Sequence, residues 1–333
     1  MTTFPLLSLP MLAVKEIVRQ VDPDSTLELT IVSRPFRRAV QFFKLNATSI
    51  KWTFNHSKTE IQLVFSGMSE SICFKSSDEN KTEELTKHLL RIIRPRVAHL
   101  ECDLGPDTSI RNLFIWKYSV TFGQVAVNSS LQEPKCLSPE ELKFLLEDVI
   151  THNLVLNVKV NKFAYQGVIK KDYIKIKNSS WLNNTVLMRM DSKYVKIEEY
   201  SDPGIKYDKL IENWISGGNN SLEHFYAVFK RSLSMDPGAI TRKIPCKQSI
   251  FSMRDLANRN VQLMQGMQPM VDIRRESDNL LATVIIEERS FHLVVWHKHQ
   301  IKWCTRETRN KLKEHESYEM LLKKSYHSLK NQI

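Results

Sequence analysis

Glycine is scarce in this chain, nine residues in 333, and none of the nine stands in a phosphate-cradling loop or a dinucleotide fingerprint. The common routes to nucleotide-dependent catalysis are therefore closed. There is no Gly-x-Ser-x-Gly elbow and no His-Glu-x-x-His pair, which removes the local frames of many serine hydrolases and zinc peptidases. Cysteine is sparse too: Cys73, Cys102, Cys136, Cys246 and Cys304 stand far apart, odd in number and without a Cys-x-x-Cys pair. Reduced thiols in a cytosolic or nuclear protein are expected, rather than a disulfide framework or a zinc site. No stretch approaches the roughly 18 uninterrupted apolar residues of a membrane span, so no membrane partner is expected. The segment 4–14 is apolar enough to imitate a signal-peptide core, yet it lacks a basic leader and a small-residue cleavage site and contains Pro5 and Pro10. The Asn-x-Ser/Thr triplets, such as Asn46 to Thr48, carry no weight in that setting.

What is present describes a folded protein. Hydrophobic residues make up 42% and charged residues 26%, a globular balance, and the length fits two or three domains. The net charge of +11 and a pI near 9.3 raise nucleic acid as a partner, because clustered cations attract phosphates through counterion release. Here the basic pairs Arg37-Arg38, Lys170-Lys171, Arg274-Arg275 and Lys323-Lys324 are scattered and mixed with acids. A solvated basic surface is the favoured reading, and nucleic-acid binding through it the alternative.

A helix is expected from Leu9 to Val21, with Pro10 in the first turn where its missing N–H costs nothing. Met11, Val14, Ile17, Val18 and Val21 recur at helical spacing, whereas Leu6, Leu9 and Leu12 fall partly outside that stripe. So short a helix carries more apolar surface than its own core consumes, and a partner should cover the surplus. Asp22-Pro23-Asp24 breaks it, and Ser25 with Glu28 reads as a capping box for a second helix with Leu27, Ile31 and Val32 inward. Ser33-Arg34-Pro35 interrupts again. A third helix follows with Phe36, Val40 and Phe43 on one face.

Phe4-Pro5-Leu6-Leu7 with Leu9-Pro10-x-Leu12, then Asp22-Pro23 and Val32-Ser33-Arg34, resembles an F-box. Thr26 and Glu28 stand where that family often has apolar residues, and Pro35 where a basic one is common. The resemblance implies docking on a Skp-type adaptor, and through it on a cullin scaffold. The contact residues it implies are Phe4, Pro5, Leu6, Leu9, Pro10, Leu12, Val14, Ile17, Val18, Val32 and Phe36.

Beyond residue 45 the period changes to alternation. Ile50, Trp52 and Phe54, then Ile61, Leu63 and Phe65, read as half-buried strands of a hairpin or meander. A polar loop from Ser76 to Glu84 should lead into a helix from about Thr86 to Ile93. Short strands are expected at Val97–Leu104, Val120–Val127, Leu154–Val160, Val186–Met190 and Leu222–Phe229, with helices at Ser138–Ile150 and Tyr207–Ile215. The spacing is near that of a strand-plus-helix repeat. The fold class is thus α+β or α/β: three helices, then a strand-helix domain, either an irregular leucine-rich-repeat-like solenoid or an α+β arrangement without a true repeat.

Leu210-Ile211-Glu212-Asn213-Trp214-Ile215-Ser216-Gly217-Gly218 with Asn219-Asn220-Ser221-Leu222-Glu223 reads as a helix ended by glycines and leading to a strand. It is similar to the signature of the F-box-associated type 2 domain, found after the F-box in a large nematode-expanded family. Asp272-Ile273-x-Arg275, Ala282-Thr283-Val284, Phe291-x-Leu293 and Trp296 resemble the end of those chains. In that family the associated domain is thought to bind substrate. Leu280–Glu287 and Phe291–Trp296 flank a polar turn and read as a hairpin. The tail, Arg306 to Lys330, reads as a solvated helix with Met320, Leu321 and Leu322 its main apolar residues.

The domains expected are an F-box at 1–45, a connecting segment at 46–115, an F-box-associated domain at 116–304 and a charged helix at 305–333. His297-x-His299 near Cys304 is the best metal-like group, but with three ligands at most it reads as surface histidine, and no metal or cofactor is expected. Trp181, Trp214, Trp296 and Trp303 read as core rather than a ligand pocket. The expectation is a non-catalytic substrate receptor of an SCF-type ubiquitin ligase, cytoplasmic or nuclear, with an unassigned protein substrate held by residues the sequence does not single out.

Overall fold

The computed structural model describes residues 9–55, 58–67, 70–105, 108–118, 120–129, 135–161, 163, 165–179, 181–200, 206–229, 242–263 and 270–314. The chain divides into two compact units, Met1–Lys159 and Val160–Ile333. The boundaries expected at 45 and 115 fall inside the first unit, and that at 304 inside the second.

The first unit opens with helices α1 (Met11–Gln20), α2 (Pro23–Val32) and α3 (Arg34–Phe43). Pro10 is the N-cap of α1 rather than its first helical residue. Asp22, not Ser25, caps α2: its carboxylate accepts from the Ser25 amide at 2.8 Å, because Pro23 is already helical and leaves Asp22 as the last extended residue. Ser33 caps α3 in the same way through the Phe36 amide, at 3.3 Å. Val14, Val18, Leu27, Phe36, Ala39 and Val40 form the core of the three helices. Helix α2 turns Thr26, Leu27 and Thr30 inward, so Ile31 and Val32, expected inside, are exposed. That orientation is fixed by Thr30, whose hydroxyl lies 3.0 Å from His88 Nε2, and by Arg37, which donates to the carbonyls of Thr30 and Ile31 at 2.7 and 2.9 Å.

Strands β1 (Leu45–Phe54), β2 (Thr59–Phe65) and β3 (Ile72–Ser76) form the expected antiparallel meander. Alternation decides their pleat, with Ile50, Trp52, Phe54, Ile61, Leu63 and Phe65 all buried. Helix α4 (Glu79–Ile92) starts seven residues earlier than expected because Asp78 caps it through the Lys81 amide. It packs on the buried face, where Trp52 Nε1 donates to Thr86 Oγ1 at 3.1 Å. Strand β4 (Ile93–Leu104) then pairs with β1 in parallel, followed by parallel β5 (Phe122–Ser129) and β7 (Thr151–Asn157), giving the order β7-β5-β4-β1-β2-β3. The two-residue strands β6 (Cys136–Leu137) and β8 (Lys159–Val160) flank β7 in sequence. The link to β7 carries α5 (Pro139–Lys143), wound on as a π turn to Asp148. Its start is a capping box, in which Ser138 and Glu141 bond each other's amides at 3.1 Å.

In the second unit, β9 (Tyr173–Lys177), β10 (Tyr194–Tyr200) and β11 (His224–Phe229) are parallel neighbours, linked by α6 (Asn184–Arg189) and α7 (Tyr207–Ile215). Beyond β11 the sheet continues antiparallel through β15 (Ser290–Val295), β14 (Leu281–Glu287), β13 (Met270–Arg274) and β12 (Lys247–Gln248). The hairpin of β14 and β15 is as expected. The strand expected at Val186–Met190 is helical instead. Asn183 caps α6 through the Val186 amide at 3.0 Å, and Val186 and Leu187 point inward together, a spacing that suits a helix and not a strand.

One side of this sheet is closed by α6 and α7. On the other, a second core gathers Phe251, Leu256, Val261, Ile285, Val294, Trp296, Cys304 and Leu312, under α8 (Met253–Asn258) and a helix over residues 306–314. The Asp255 carboxylate joins these two helices, accepting from the Thr305 amide at 2.5 Å and the Thr308 hydroxyl at 2.7 Å. The described part of the tail is thus anchored, with Thr308 and Leu312 buried, and is not a wholly solvated helix. Met320, Leu321 and Leu322 lie outside the described residues.

Candidate functional site

Two surfaces stand out from the packing. The first lies on α1–α3. Of the thirteen large hydrophobic side chains exposed among the described residues, seven sit on these helices: Met11, Leu12, Ile17, Leu29, Ile31, Val32 and Phe42. Leu12, Val32 and Phe42 are 75%, 78% and 79% exposed. Among the residues expected to contact an adaptor, Pro10, Leu12, Ile17 and Val32 are on the surface and Leu9 is half-buried, whereas Val14, Val18 and Phe36 are buried in the helical core. Those three shape the surface without being part of it. Phe4, Pro5 and Leu6 lie outside the described residues. Leu29, Ile31 and Phe42 join the surface although the sequence reading did not select them; Leu29 and Phe42 are apolar residues off the stripes expected to be buried, whereas Ile31 was expected inside.

The second surface is the face of each sheet turned away from the helices that link its parallel strands. In the first unit it is a polar ladder, where Asn128 Nδ2 donates to Glu101 at 2.9 Å and Asp103 at 3.0 Å, and Lys51 pairs with Glu101 at 2.5 Å. In the second unit, outward positions of β9, β10, β11 and β15 bring Tyr173, Tyr194, Lys196, His224, Tyr226 and His292 around a recess of about 210 Å³, with Asn260 and Gln262 at its rim. The rings stack: Tyr226 and His292 have centroids 4.4 Å apart, and His224 and His292 5.5 Å apart. Lys196 Nζ stands 5.5 Å from the centre of the Tyr226 ring.

Behind the recess a hydrogen-bonded chain runs into the sheet. The Ser290 hydroxyl donates to the Glu287 carboxylate, so it accepts from His292 Nε2 at 3.1 Å. His292 Nδ1 is then bare and accepts from His224 Nε2 at 3.3 Å. The chain closes in this direction only while His292 is neutral, because its Nδ1 must accept; His224 has only to carry an N–H at Nε2. Burial keeps both rings neutral, pushing His224 down to about 3 and His292 down to about 4. Glu287 lies 3.6 Å from His292 and pulls the other way, but desolvation outweighs it, so the contact is a neutral one.

The motifs behind the family resemblance are structural. Asp272 is buried and accepts from Ser249, the Ile250 amide and Thr283 at 2.8, 2.9 and 2.7 Å. Thr283 Oγ1 in turn accepts from Trp296 Nε1 at 2.9 Å. Arg275 grips Asp278 with two bonds, at 2.9 and 2.6 Å, and lies over Trp214; its guanidinium holds the Asp278 carboxyl down to about 2. Gly218 turns the chain after α7 so tightly that a Cβ there would meet the Asn213 carbonyl at 2.8 Å.

Trp181, Trp214 and Trp296 are core residues, and Trp303 is exposed. His297 is the N-cap of α9 (Lys298–Ile301), not a strand residue, and its Nε2 bonds the Leu222 carbonyl at 2.9 Å. Among the described residues no three His, Cys, Asp or Glu side chains are grouped to hold a metal ion. The basic pairs are drawn into the fold as well: Arg37 closes the end of α2, Arg275 holds Asp278, and Lys171 is buried. Lys323-Lys324 lies outside the described residues. No described helix is long and apolar enough to cross a membrane. No family model matches the chain, and neither does any curated protein or solved structure.

Proposed function

We propose that this chain is a non-catalytic substrate receptor of an SCF-type ubiquitin ligase: α1–α3 dock on a Skp-type adaptor, which bridges to a cullin scaffold, while the sheet-bearing remainder holds a protein substrate. The observation that carries the reading is the crowding of exposed apolar side chains on three short helices whose own core is already closed. Exposed apolar side chains gathered on one small set of helices are the material of a protein interface. Each such side chain fully covered by a partner contributes on the order of 1.5–3 kcal/mol, so the seven together give about 10–20 kcal/mol against the roughly 4–15 kcal/mol that association costs.

These sheet faces support the second half of the reading. Successive parallel strands, β4-β5-β7 in one unit and β9-β10-β11 in the other, present their outward positions as a broad ladder of side chains, the arrangement a solenoid-like receptor uses. The test is direct. The purified full chain, mixed with a Skp-type adaptor, should elute as one complex in gel filtration. Failure to bind any cognate adaptor ends the proposal. Partners that are nucleic acids and fall away steeply with added salt would move the reading to the basic surface.

A further inference from the structure

We propose that the recess beyond the carboxyl ends of β1 and β4 binds a small zwitterion, a free α-amino acid with a polar side chain. The site is separate from adaptor docking and uses no residue of α1–α3.

The topology places a crevice there. The chain leaves β1 for β2 on one side, returns through β3 and α4, and then leaves β4 for β5 on the other side. Strands β1 and β4 are therefore parallel neighbours whose onward connections diverge. In open sheets with parallel strands, ligands lodge in the gap that such a reversal opens at the carboxyl ends. A recess of about 310 Å³ lies at that point. Asn55 and Lys58 link β1 to β2, Ser77 and Glu79 lead into α4, and Ser109 and Asn112 follow β4. Its size is at the low end of the roughly 300–1,000 Å³ of small-molecule pockets.

The lining selects the ligand. Phe54 and Leu113 are the apolar side chains among the described residues that line it, and both are buried, so an apolar molecule would gain little. Lys58 and Glu79 are the charged ones. Both are exposed, and neither has an ion-pair partner among the described residues, the other included. The neighbouring charges are engaged. Asp78 holds the Lys81 amide at 3.2 Å and its ammonium at 3.7 Å, Asp103 accepts from Asn128, and Lys135 donates to the Thr108 carbonyl at 2.5 Å. Lys117, the cation that feels Glu79, is bound to Glu83 at 2.9 Å. One unmatched charge of each sign complements a dipolar molecule, with its carboxylate at Lys58 and its ammonium at Glu79. A simple anion would gain Lys58 but meet Glu79, and a simple cation the reverse. The side chains of Ser77, Ser109 and Asn112, unspent among the described residues, offer donors and acceptors to a polar side chain.

The probe is L-glutamine, titrated into the full chain while the backbone amide resonances of residues 77–79 and 108–112 are followed. Saturable shifts with a dissociation constant of about a millimolar are expected. N-acetylglutamine, which lacks the ammonium, and glutaminamide, which lacks the carboxylate, should each bind at least about threefold more weakly. Lys58→Gln should weaken L-glutamine by a similar factor and leave glutaminamide unaffected. Glu79→Gln should weaken L-glutamine and leave N-acetylglutamine unaffected. Both variants should melt within about 3 °C of the parent, since neither side chain holds a partner. No saturable shift, equal binding of the three ligands, substitutions that leave L-glutamine binding unchanged, or tighter binding of glucose than of L-glutamine would overturn the proposal.

Discussion

Thr26 is a small fault in a well-satisfied core. It is fully buried, and its hydroxyl has no hydrogen-bond partner among the described residues. An unsatisfied buried hydroxyl costs more than an isosteric methyl, so Thr26→Val should raise stability by about 1 kcal/mol; a fall in the chemical-denaturation midpoint would refute this. The histidine chain makes an opposite kind of demand. Native His292 stays neutral down to about pH 4, whereas an unfolded imidazole takes up a proton near its ordinary value of 6.5. Its folded value is depressed, so its contribution is complete above 6.5 and is lost as pH falls from there toward 4. The slope is on the order of 1.4 kcal/mol per pH unit. Protonation would set an N–H of His292 against the N–H of His224, with burial opposing the charge and Glu287 favouring it, while Arg259 and Lys196 oppose charge on His224. Denaturation midpoints measured from pH 7 to 5 should drop accordingly; because burial also pushes His224 down to about 3, His292→Gln should lessen that dependence by about one proton's worth of linkage while lowering stability at pH 7. An unchanged slope in the variant would show that other groups carry the acid sensitivity.

At the scale of elements, three helices of ten residues each bury one stripe and leave another bare. Leu12→Asp with Val32→Asp alters only side chains that are three-quarters exposed, so melting should stay within about 2 °C while adaptor affinity falls at least tenfold. Calorimetric titration checks the affinity, and full binding by the double variant would remove these residues from the interface. Much of this segment was legible in the sequence, because Pro23, Ser33 and the spacing of Val14 with Val18 announce breaks and a buried stripe. The rotation of α2 was not legible, since it depends on Thr30 meeting His88, 58 residues away. In the sheets, period two located β1 and β2, and the polar turn between two apolar runs located β14 and β15. Alternation was equally present in Tyr173-Ile174-Lys175-Ile176-Lys177 and Tyr194-Val195-Lys196-Ile197-Glu198, strands the sequence reading passed over, and these carry half of the aromatic recess. The remaining members, His224, Tyr226 and His292, come from strands far apart in the chain, and only the order β15-β11-β10-β9 brings them together.

At the scale of the molecule, the sequence reading treats the first 45 residues as a separable module, and the packing argues against that division. Helix α3 runs through Lys44 directly into β1, α2 is tied to α4 through Thr30 and His88, and all of these lie within one compact unit. Removing residues 1–44 would strip the cover from part of α4 and from the start of β1, where Ala47 is buried. Uncovering one or two apolar side chains and losing one half-buried hydrogen bond costs about 2–4 kcal/mol. For a unit of this size each kcal/mol lowers the melting temperature by roughly 2–4 °C, so the shortened chain should melt about 5–15 °C below the full one. The point variant in Leu12 and Val32 loses no packing and should not share that fall. Comparing the two by differential scanning calorimetry separates docking from folding: a shortened chain that melts within about 2 °C of the full protein would restore the boundary at residue 45 and make α1–α3 an independent module.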